Sequence, residues 1–443
     1  MITATIGKVF LDAFNEEFGT HYDAKSFFLE IFYPLFYDQE KYLMTAGNTP
    51  LENPKISWAD MISGKKPFET NEQRKQRFDK LMSKFNIGYP TTDNSVGFGS
   101  MDVNSTTSGQ TSNIQYPFVE DDIYYSWFGA GLGIGTQSGL TILFSNSKIL
   151  LDIFEGWKLY RKMLNETPKL KGNQVNTWNG QWLAHRYDKT SYNAELPMAN
   201  FNHAFETTKD GMSIATQSWT KVLIGIARQF SFPKMMGYVY RFDKTNTTIG
   251  FIPFNLEHIR RPIELYQKLF GEIEGREAEE LWGTREDGFK VCCQKGAIGI
   301  EAMRPKDLEQ YMTADKGAKL PKYDEKQIIS FHTYQIWLLA MLNNEELWEK
   351  SLEFAKVLQN FVLQDKTISP KRKNIVESIL STTSKDKFIS SLKELLSNDD
   401  IDCINDIAKI VLSMPDSNFK LFLTLIGFHY AVIEKQKDLS INN

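Results

Sequence analysis

The sequence contains little cysteine, and the cysteines it has suit neither a disulfide framework nor a zinc site. Only three occur among 443 residues, and two of them, Cys292 and Cys293, are adjacent. Adjacent cysteines cannot provide the spaced pairs of a Cys-x-x-Cys zinc site, and three are too few for a disulfide scaffold. A reducing cytoplasm is therefore the expected location. The segment "FKVCCQKG" around the pair is interpreted as a strand rather than a nucleophile site.

Long apolar runs are also missing. No segment reaches the roughly 18 apolar residues that a membrane span needs. The amino-terminal segment interrupts its apolar positions with Lys8, Asp12, Glu16 and Glu17, and it lacks the small-residue cleavage site of a signal peptide. The sequence thus predicts neither secretion nor insertion into a membrane.

Neither sign of charge dominates the chain. It has 51 Lys and Arg against 55 Asp and Glu, a formal net charge of −4. This balance excludes a uniformly basic nucleic-acid coat but permits a local basic stripe. With 42% apolar, 24% charged and 13% aromatic residues, the composition is typical of a globular protein long enough for two or three domains.

Short catalytic motifs are not found. The six histidines show no metal-binding spacing such as His-Glu-x-x-His, and no Gly-x-Ser-x-Gly elbow occurs. His332 and His429 fall on apolar faces of predicted helices and are interpreted as satisfied core residues. We therefore predict no catalytic residue, no metal ligand and no cofactor.

The segment "DIFEGWK" is the one weak candidate for hydrolytic chemistry. Asp152, Glu155 and Lys158 lie on successive turns of a predicted helix and faintly resemble the trio of a metal-dependent nuclease. The same spacing is also typical of ion pairs on the surface of an amphipathic helix, which is the simpler interpretation.

A glycine-rich stretch, "WFGAGLGIGTQSGLTILF", runs from Trp127 to Phe144. It fits neither the Gly-x-Gly-x-x-Gly dinucleotide pattern nor the Walker pattern, and the acids of the preceding "VEDDIYYSW" would repel a phosphate. The alternation of glycine with apolar residues instead indicates a turn or strand that another backbone approaches closely. We expect these glycines to be architectural, and a helix to begin near Asn146.

The periodicity of apolar residues predicts an α+β fold with two parts. A mixed, largely helical body covers residues 1–320. It has an aromatic helical face within the first forty residues, strand-like runs "MMGYVYRF" and "TTIGFIPF", and a long polar loop near 88–115. Helical spacing continues from 321 to 443, which predicts a carboxy-terminal antiparallel helical bundle.

Three basic segments are candidates for contact with a nucleic-acid backbone. One belongs to a helix that begins with a Thr70–Gln73 capping box, one lies at a predicted helix start before Pro262, and one forms a predicted turn between bundle helices. A solvated helix face is the simpler explanation of the first segment, and pairing with Glu257 and Glu264 explains the second equally well. The residues are Lys65, Lys66, Arg74, Lys75 and Arg77, then Arg260 and Arg261, then Lys371, Arg372 and Lys373.

Two polar segments are candidates for reading bases. Amide and hydroxyl side chains present donors and acceptors to base edges, and an indole can stack on a base or wedge where a duplex opens. The alternative is a polar network that orders a loop. The polar loop contributes Ser108, Gln110, Asn113 and Gln115, and the segment "KGNQVNTWNGQW" contributes Asn173, Gln174, Asn176 and Trp178.

The chain resembles the large subunit of a type I CRISPR surveillance complex, Cascade. The segments that carry the resemblance are "DDIYYSWFGAGLGIG", "IFEGWKLYR", "GNQVNTWNGQW" and "SWTKVLIGIARQF", together with the mixed body and the terminal bundle. In that family the body recognises the short motif beside the DNA target, and the bundle resembles the small subunit of the complex.

The resemblance implies a non-catalytic, DNA-binding subunit that recognises the target-flanking motif and helps to hold the opened target. It also implies partners: the other Cascade subunits, CRISPR RNA, double-stranded target DNA, and a helicase-nuclease recruited in trans. Two alternatives remain open from the sequence. One is a metal-dependent defence nuclease built on Asp152, Glu155 and Lys158, and the other is a scaffold protein that does not contact DNA.

Overall fold

The fold is described from a computed structural model, and the described residues form two compact units. Unit 1 comprises the described parts of residues 1–256 and 286–298, and unit 2 those of 257–285 and 299–443. The structure describes residues 2–45, 51, 57–87, 89–91, 94–97, 119–172, 175–189, 191–201, 204–208, 211–241, 247–271, 288–294, 296, 298–312, 320–364, 369–395 and 400–441.

Unit 1 begins with helices that bury an aromatic core. Helix α1 (Ile2–Phe18) is followed by α2 (Ala24–Phe27), a π-helical turn (Phe28–Phe32) and α3 (Tyr33–Phe36). The Phe10 ring lies 5.6–6.1 Å, centre to centre, from the rings of Phe27, Phe128, Phe154 and Trp157. Edge-to-face aromatic packing at such distances is favourable beyond the burial of area. The predicted aromatic core is therefore confirmed.

Two more helices follow along the chain of unit 1. Helix α4 (Trp58–Ile62) precedes α5 (Asn71–Phe85). Helix α5 begins with the predicted capping box, in which Thr70 Oγ1 accepts from the Gln73 amide and Gln73 Oε1 accepts from the Thr70 amide. The box satisfies two amide groups that a helix start leaves without intrahelical partners, so the start of α5 is fixed by its own sequence.

The first glycines of the glycine-rich stretch lie in a helix, not in a loop or strand. Helix α6 (Asp121–Gly131) packs along α1, and a β-carbon on Gly129 would lie 1.8 Å from the Thr3 carbonyl oxygen. Only glycine permits this contact between the two backbones. The predicted architectural role is confirmed, while the expectation of a turn or strand holds only beyond Gly131, where β1 (Ile134–Gly135) and β2 (Thr141–Phe144) follow.

A four-stranded antiparallel sheet has the order β1-β2-β5-β6, where β5 is Met235–Arg241 and β6 is Thr247–Phe254. The two predicted strand segments therefore form a hairpin. Between β2 and β5 the chain forms α7 (Ser147–Glu166), α8 (Val175–Arg186), a hairpin of β3 (Phe205–Thr208) and β4 (Gly211–Ile214), and α9 (Trp219–Gln229). Helix α7 begins after Asn146, as predicted, because the Asn146 side chain accepts from the Ile149 amide.

The described residues of unit 2 form helices joined by turns and include no strand. Helix α10 (Leu256–Phe270) starts at the end of unit 1, and α11 (Gly288–Gln294) returns to unit 1 before α12 (Lys306–Met312). The remaining helices are α13 (Ile328–Leu342), α14 (Glu346–Leu363), α15 (Ser369–Ser381), α16 (Lys385–Leu392), α17 (Ile401–Ser413) and α18 (Asp416–Ile441). None of the described helices is long and apolar enough to cross a membrane.

The predicted α+β, largely helical fold class is confirmed, with two local corrections. Cys292 and Cys293 lie in helix α11 rather than in a strand, and both are buried. His429 is buried but unsatisfied, because its Nε2 has no hydrogen-bond partner among the described residues. The predicted boundary between residues 1–320 and 321–443 concerns independent folding and stays a prediction.

Candidate nucleic-acid interface

A cluster of four side chains in unit 1 holds the first basic segment in place. The Tyr42 ring meets the Trp58 ring edge to face at 4.9 Å, and its hydroxyl donates to Glu69 Oε2 at 2.7 Å. Arg77 pairs with Glu69 at 2.6 Å and also contacts the Tyr42 hydroxyl. Burial, together with the hydrogen bond to Glu69, raises the pKa of Tyr42. We call Tyr42, Trp58, Glu69 and Arg77 the Tyr42 cluster.

The two arginines of α5 have structural roles. Arg77 donates to the Leu51 carbonyl at 2.9 Å in addition to its contacts in the Tyr42 cluster. Arg74 is buried, donates to the Glu69 carbonyl at 2.7 Å and also contacts the Asn71 side chain. A guanidinium held by several acceptors is not presented to a DNA backbone. Arg74 and Arg77 therefore hold α5 in place and are not part of the proposed backbone contacts.

The lysines of the same segment are exposed. Lys65 and Lys66 lie in the turn after α4, where both amides donate to the Asp60 carbonyl, and Lys66 pairs with the Asp60 side chain at 3.5 Å. Lys75 lies on the exposed side of α5. Lys65 and Lys75 form no ion pair with residues that the structure describes. Their charges are available to an anionic partner.

The fold packs a second basic segment, residues 169–172, on Tyr42, a member of the cluster that holds the first. A β-carbon on Gly172 would lie 2.0 Å from the Tyr42 carbonyl oxygen, so this segment packs directly on the backbone at Tyr42. The Lys169 carbonyl oxygen and Ile62 Cγ2 both lie close to Gly211, at 2.4 and 3.5 Å from where its β-carbon would be. Lys169 is exposed and Lys171 is half-buried.

Backbone hydrogen bonds to Met212 hold Lys169 and Lys171 in place. The Met212 amide donates to the Lys169 carbonyl at 2.9 Å, and the Lys171 amide donates to the Met212 carbonyl at 3.0 Å. At the end of α7, the buried ammonium of Lys41 donates to the carbonyls of Leu164 and Thr167. We call Lys65, Lys66, Lys75, Lys169 and Lys171 the lysine surface, because all five lie on segments that pack around the Tyr42 cluster.

The described part of the amide-rich segment "KGNQVNTWNGQW" holds the glycine-rich stretch instead of facing solvent. Asn179 donates to the carbonyls of Gly131 and Gly133 at 2.7 and 2.8 Å, and it accepts from the Trp157 indole at 3.1 Å. The Trp178 indole donates to the Gly156 carbonyl at 2.8 Å, and its ring stacks on Tyr160 at 4.5 Å. This is the ordering network that was the alternative interpretation of the segment.

Two of the predicted base-reading residues are consequently inside the core of unit 1. Trp178 is 0% exposed and Asn176 is 6% exposed. Neither reaches a base edge in this arrangement, so neither is carried into the proposed interface. The other six, Ser108, Gln110, Asn113, Gln115, Asn173 and Gln174, lie outside the described residues, and their role stays a prediction.

The candidate nuclease trio is engaged in other contacts. Asp152 is 1% exposed, and its carboxylate accepts from Lys148 at 3.0 Å, from Arg186 at 2.8 Å and from the Tyr187 hydroxyl at 2.8 Å. Burial beside this carboxylate raises the pKa of Tyr187 well above its ordinary value. Arg186 also pairs with Glu155 at 2.8 Å, and Lys158 lies 4.5 Å from the centre of the Phe154 ring.

These contacts leave no room for a metal ion at the trio. A ligand carboxylate must offer free lone pairs to the metal, whereas both oxygens of Asp152 already accept hydrogen bonds, from two cations and a hydroxyl. Within the described ranges, no group of three His, Cys, Asp or Glu side chains is arranged to hold a metal ion. Asp152 and Glu155 therefore belong to a structural ion-pair network between α7 and α8, and Lys158 packs over the Phe154 ring.

The basic candidates of unit 2 are also partly paired. Arg260 and Arg261 lie in the second turn of α10, which continues through Pro262, and not at a helix start. Arg261 donates to Asn343 at 2.7 Å, and Arg260 lies 3.8 Å from Glu264. The predicted basic turn is the start of α15, where Arg372 donates to the Phe361 carbonyl at 2.9 Å and Lys373 pairs with Glu434 at 2.7 Å. Lys371 is exposed.

Sequence reasoning missed Tyr42, Glu69, Lys169 and Lys171, since nothing local distinguishes them. The contact of Tyr42 with Gly172 spans 130 residues, and only the short "KLK" spacing marks the second segment. Comparison of the chain with protein-family models, with curated proteins and with solved structures gave no match. The assignment of function therefore rests on the residues of this chain.

Proposed function

We propose that the chain is a non-catalytic, DNA-binding subunit of an RNA-guided type I CRISPR interference complex, which binds the duplex beside the target. The observation that carries the proposal is the lysine surface, where two basic segments distant in sequence are packed around the Tyr42 cluster. Exposed ammonium groups on rigid segments bind phosphates irrespective of sequence and set the register of a protein on a duplex.

The described start of the polar loop is held beside α5, which supports a division between backbone binding and base reading. The Asn94 amide group donates to the carbonyls of Lys84 and Tyr89 at 3.1 and 2.9 Å, which ties the chain entering the loop to the end of α5. Helix α5 carries Lys75 near its start and spans about 22 Å. In the proposed function, the lysine surface binds the phosphate backbone of the DNA. The flanking motif is read by Ser108, Gln110, Asn113 and Gln115.

The nuclease alternative is disfavoured by the contacts of Asp152. A carboxylate held by Lys148, Arg186 and Tyr187 would need all three to move before it could bind a metal ion. The partners of the proposed function are other Cascade subunits, CRISPR RNA and a helicase-nuclease recruited in trans, and its location is the cytoplasm. Recognition of the opened target belongs to the same proposal.

Duplex binding by charge variants tests the proposal. Replacing Lys65, Lys66, Lys75 and Lys169 by glutamine should weaken binding of the full chain to a labelled duplex of about 30 base pairs at least tenfold in about 100 mM salt, similarly for all sequences. The matched control replaces four exposed lysines elsewhere, Lys8, Lys25, Lys290 and Lys356. Equal affinity in the two variants would favour a scaffold without direct DNA contact.

A further inference from the structure

The β5–β6 hairpin presents an exposed face that the lysine surface does not use. Met236 pairs with Pro253 across the two strands, and Tyr238 pairs with Phe251. Successive residues of a strand point to opposite faces, so these four side chains share one face. On the opposite face, Gly237, Val239 and Ile252 are buried in unit 1.

Large apolar side chains on this face remain in solvent. Phe251 is 63% exposed and Met236 is 54% exposed, while Tyr238 and Pro253 are half-buried. The rings of Tyr238 and Phe251 meet at 5.2 Å and 63°. Single exposed apolar residues are common, but a contiguous group on one sheet face marks an interaction site.

The charges beside this face indicate which class of ligand it binds. Lys234 precedes β5 and Arg241 ends it, about 23 Å apart along an extended strand. The Arg241 guanidinium lies at the surface against Gly139, with Cζ 3.5 Å from where a β-carbon on that glycine would be. The described residues 230–241 and 247–256 contain these two cations and no acid. A polyanion with aromatic groups is complementary to this arrangement.

We propose that the outer face of the β5–β6 hairpin binds single-stranded nucleic acid, with bases stacked on Phe251 and Tyr238 and phosphates near Lys234 and Arg241. Unpaired bases stack on exposed rings whatever their identity, and cations beside the rings neutralise the backbone. A duplex offers no free base faces to the rings. The inference rests on the proposed function for the source of the strand, which is the opened target, but its residues are separate from the lysine surface.

Binding of a labelled single-stranded DNA of about 12 nucleotides to the full chain tests the proposal by fluorescence anisotropy. Phe251→Ala should weaken binding about 5- to 150-fold, because it removes a stacking platform. Phe251→Trp keeps an aromatic ring and should bind within about threefold of the parent. Leu412→Ala removes an equally exposed apolar side chain in unit 2 and should change nothing.

Parallel measurements separate this inference from the proposed function. Phe251→Ala should retain the parent's affinity for duplex DNA, whereas the four-lysine variant should lose duplex affinity and keep the stacking dependence at Phe251. Photo-crosslinking of the parent with a 5-iodouracil oligonucleotide should modify Tyr238 or Phe251. This measurement uses the parent alone and does not depend on the folding of a variant. The inference is overturned if the parent binds no single strand, if Phe251→Ala binds like the parent, or if Phe251 governs only self-association of the chain.

Discussion

At the residue scale, charged side chains from the same predicted functional segments have different roles. Arg74, Arg77 and Asp152 came from segments that resembled functional motifs, yet each is held by several fixed partners. Neighbouring lysines of the same segment, Lys65 and Lys75, are exposed. For Arg77 the distinction was not predictable from sequence, because Tyr42 and Leu51, which help to hold it, are distant along the chain.

The Asp152 network predicts a large difference between two nearby acids. Asp152→Ala leaves Arg186 and Lys148 without the buried carboxylate, so we expect a loss of about 3 to 5 kcal/mol in the free energy of unfolding. Glu155→Ala removes a half-exposed partner of the same arginine and should cost under about 1 kcal/mol. Urea unfolding of the full chain at pH 7 measures both. Equal costs would show that Asp152 is not the centre of the network.

His429 predicts a pH dependence of stability. Burial lowers its pKa from 6.5 to about 4, so the unfolded chain binds the proton more tightly than the folded chain. Its stabilising contribution is complete above pH 6.5 and is lost as pH falls from 6.5 towards 4. His332 titrates in the same range, because burial also lowers its pKa to about 4.

Replacing His429 by phenylalanine removes one of these two groups. Between pH 7 and pH 5 the parent should lose about 2 kcal/mol more of its free energy of unfolding than His429→Phe loses. Urea unfolding at the two pH values measures the difference. If both proteins lose the same amount, His429 does not remain neutral in the folded chain.

At the scale of elements, the sequence predicted those features that depend on neighbouring residues. The capping box of α5, the Asn146 start of α7 and the two strands of the β5–β6 hairpin all follow from local chemistry or from periodicity. The architectural role of the glycine-rich stretch was predicted correctly, but the secondary structure of its first residues was not. Its first five residues belong to α6, and Gly129 lets α6 approach α1, a contact between residues more than 120 positions apart.

Two helical glycines predict opposite effects of the same substitution. Gly129→Ala should lower the free energy of unfolding by about 1 to 3 kcal/mol or more, because the added carbon would overlap a backbone oxygen. Gly427, in α18, has nothing within 4 Å of an added β-carbon, so Gly427→Ala should stabilise by about 0.5 to 1 kcal/mol. Thermal unfolding of the two variants measures the signs. A neutral Gly129→Ala would contradict the close packing of α1 and α6.

At the scale of the whole molecule, two compact units divide the chain differently from its linear order. Unit 2 includes α10, where Phe270 stacks on His332 at 3.8 Å and Lys268 pairs with Glu345 at 2.6 Å. Periodicity alone could not assign α10 to the carboxy-terminal helices, since more than fifty residues separate it from α13. The lysine surface likewise depends on the tertiary fold. The sequence indicated Lys65, Lys66 and Lys75 but not Lys169 and Lys171.

The salt dependence of duplex binding tests the central claim, a DNA-binding role for the lysine surface, most directly. Removing one lysine that neutralises a phosphate should reduce the slope of log affinity against log salt concentration by about 0.9. The variant lacking Lys65, Lys66, Lys75 and Lys169 should therefore bind with a slope shallower by about 2 to 4, while the four-lysine control should keep the slope of the parent. An unchanged slope in the first variant, or an equal reduction in both, would contradict the claim.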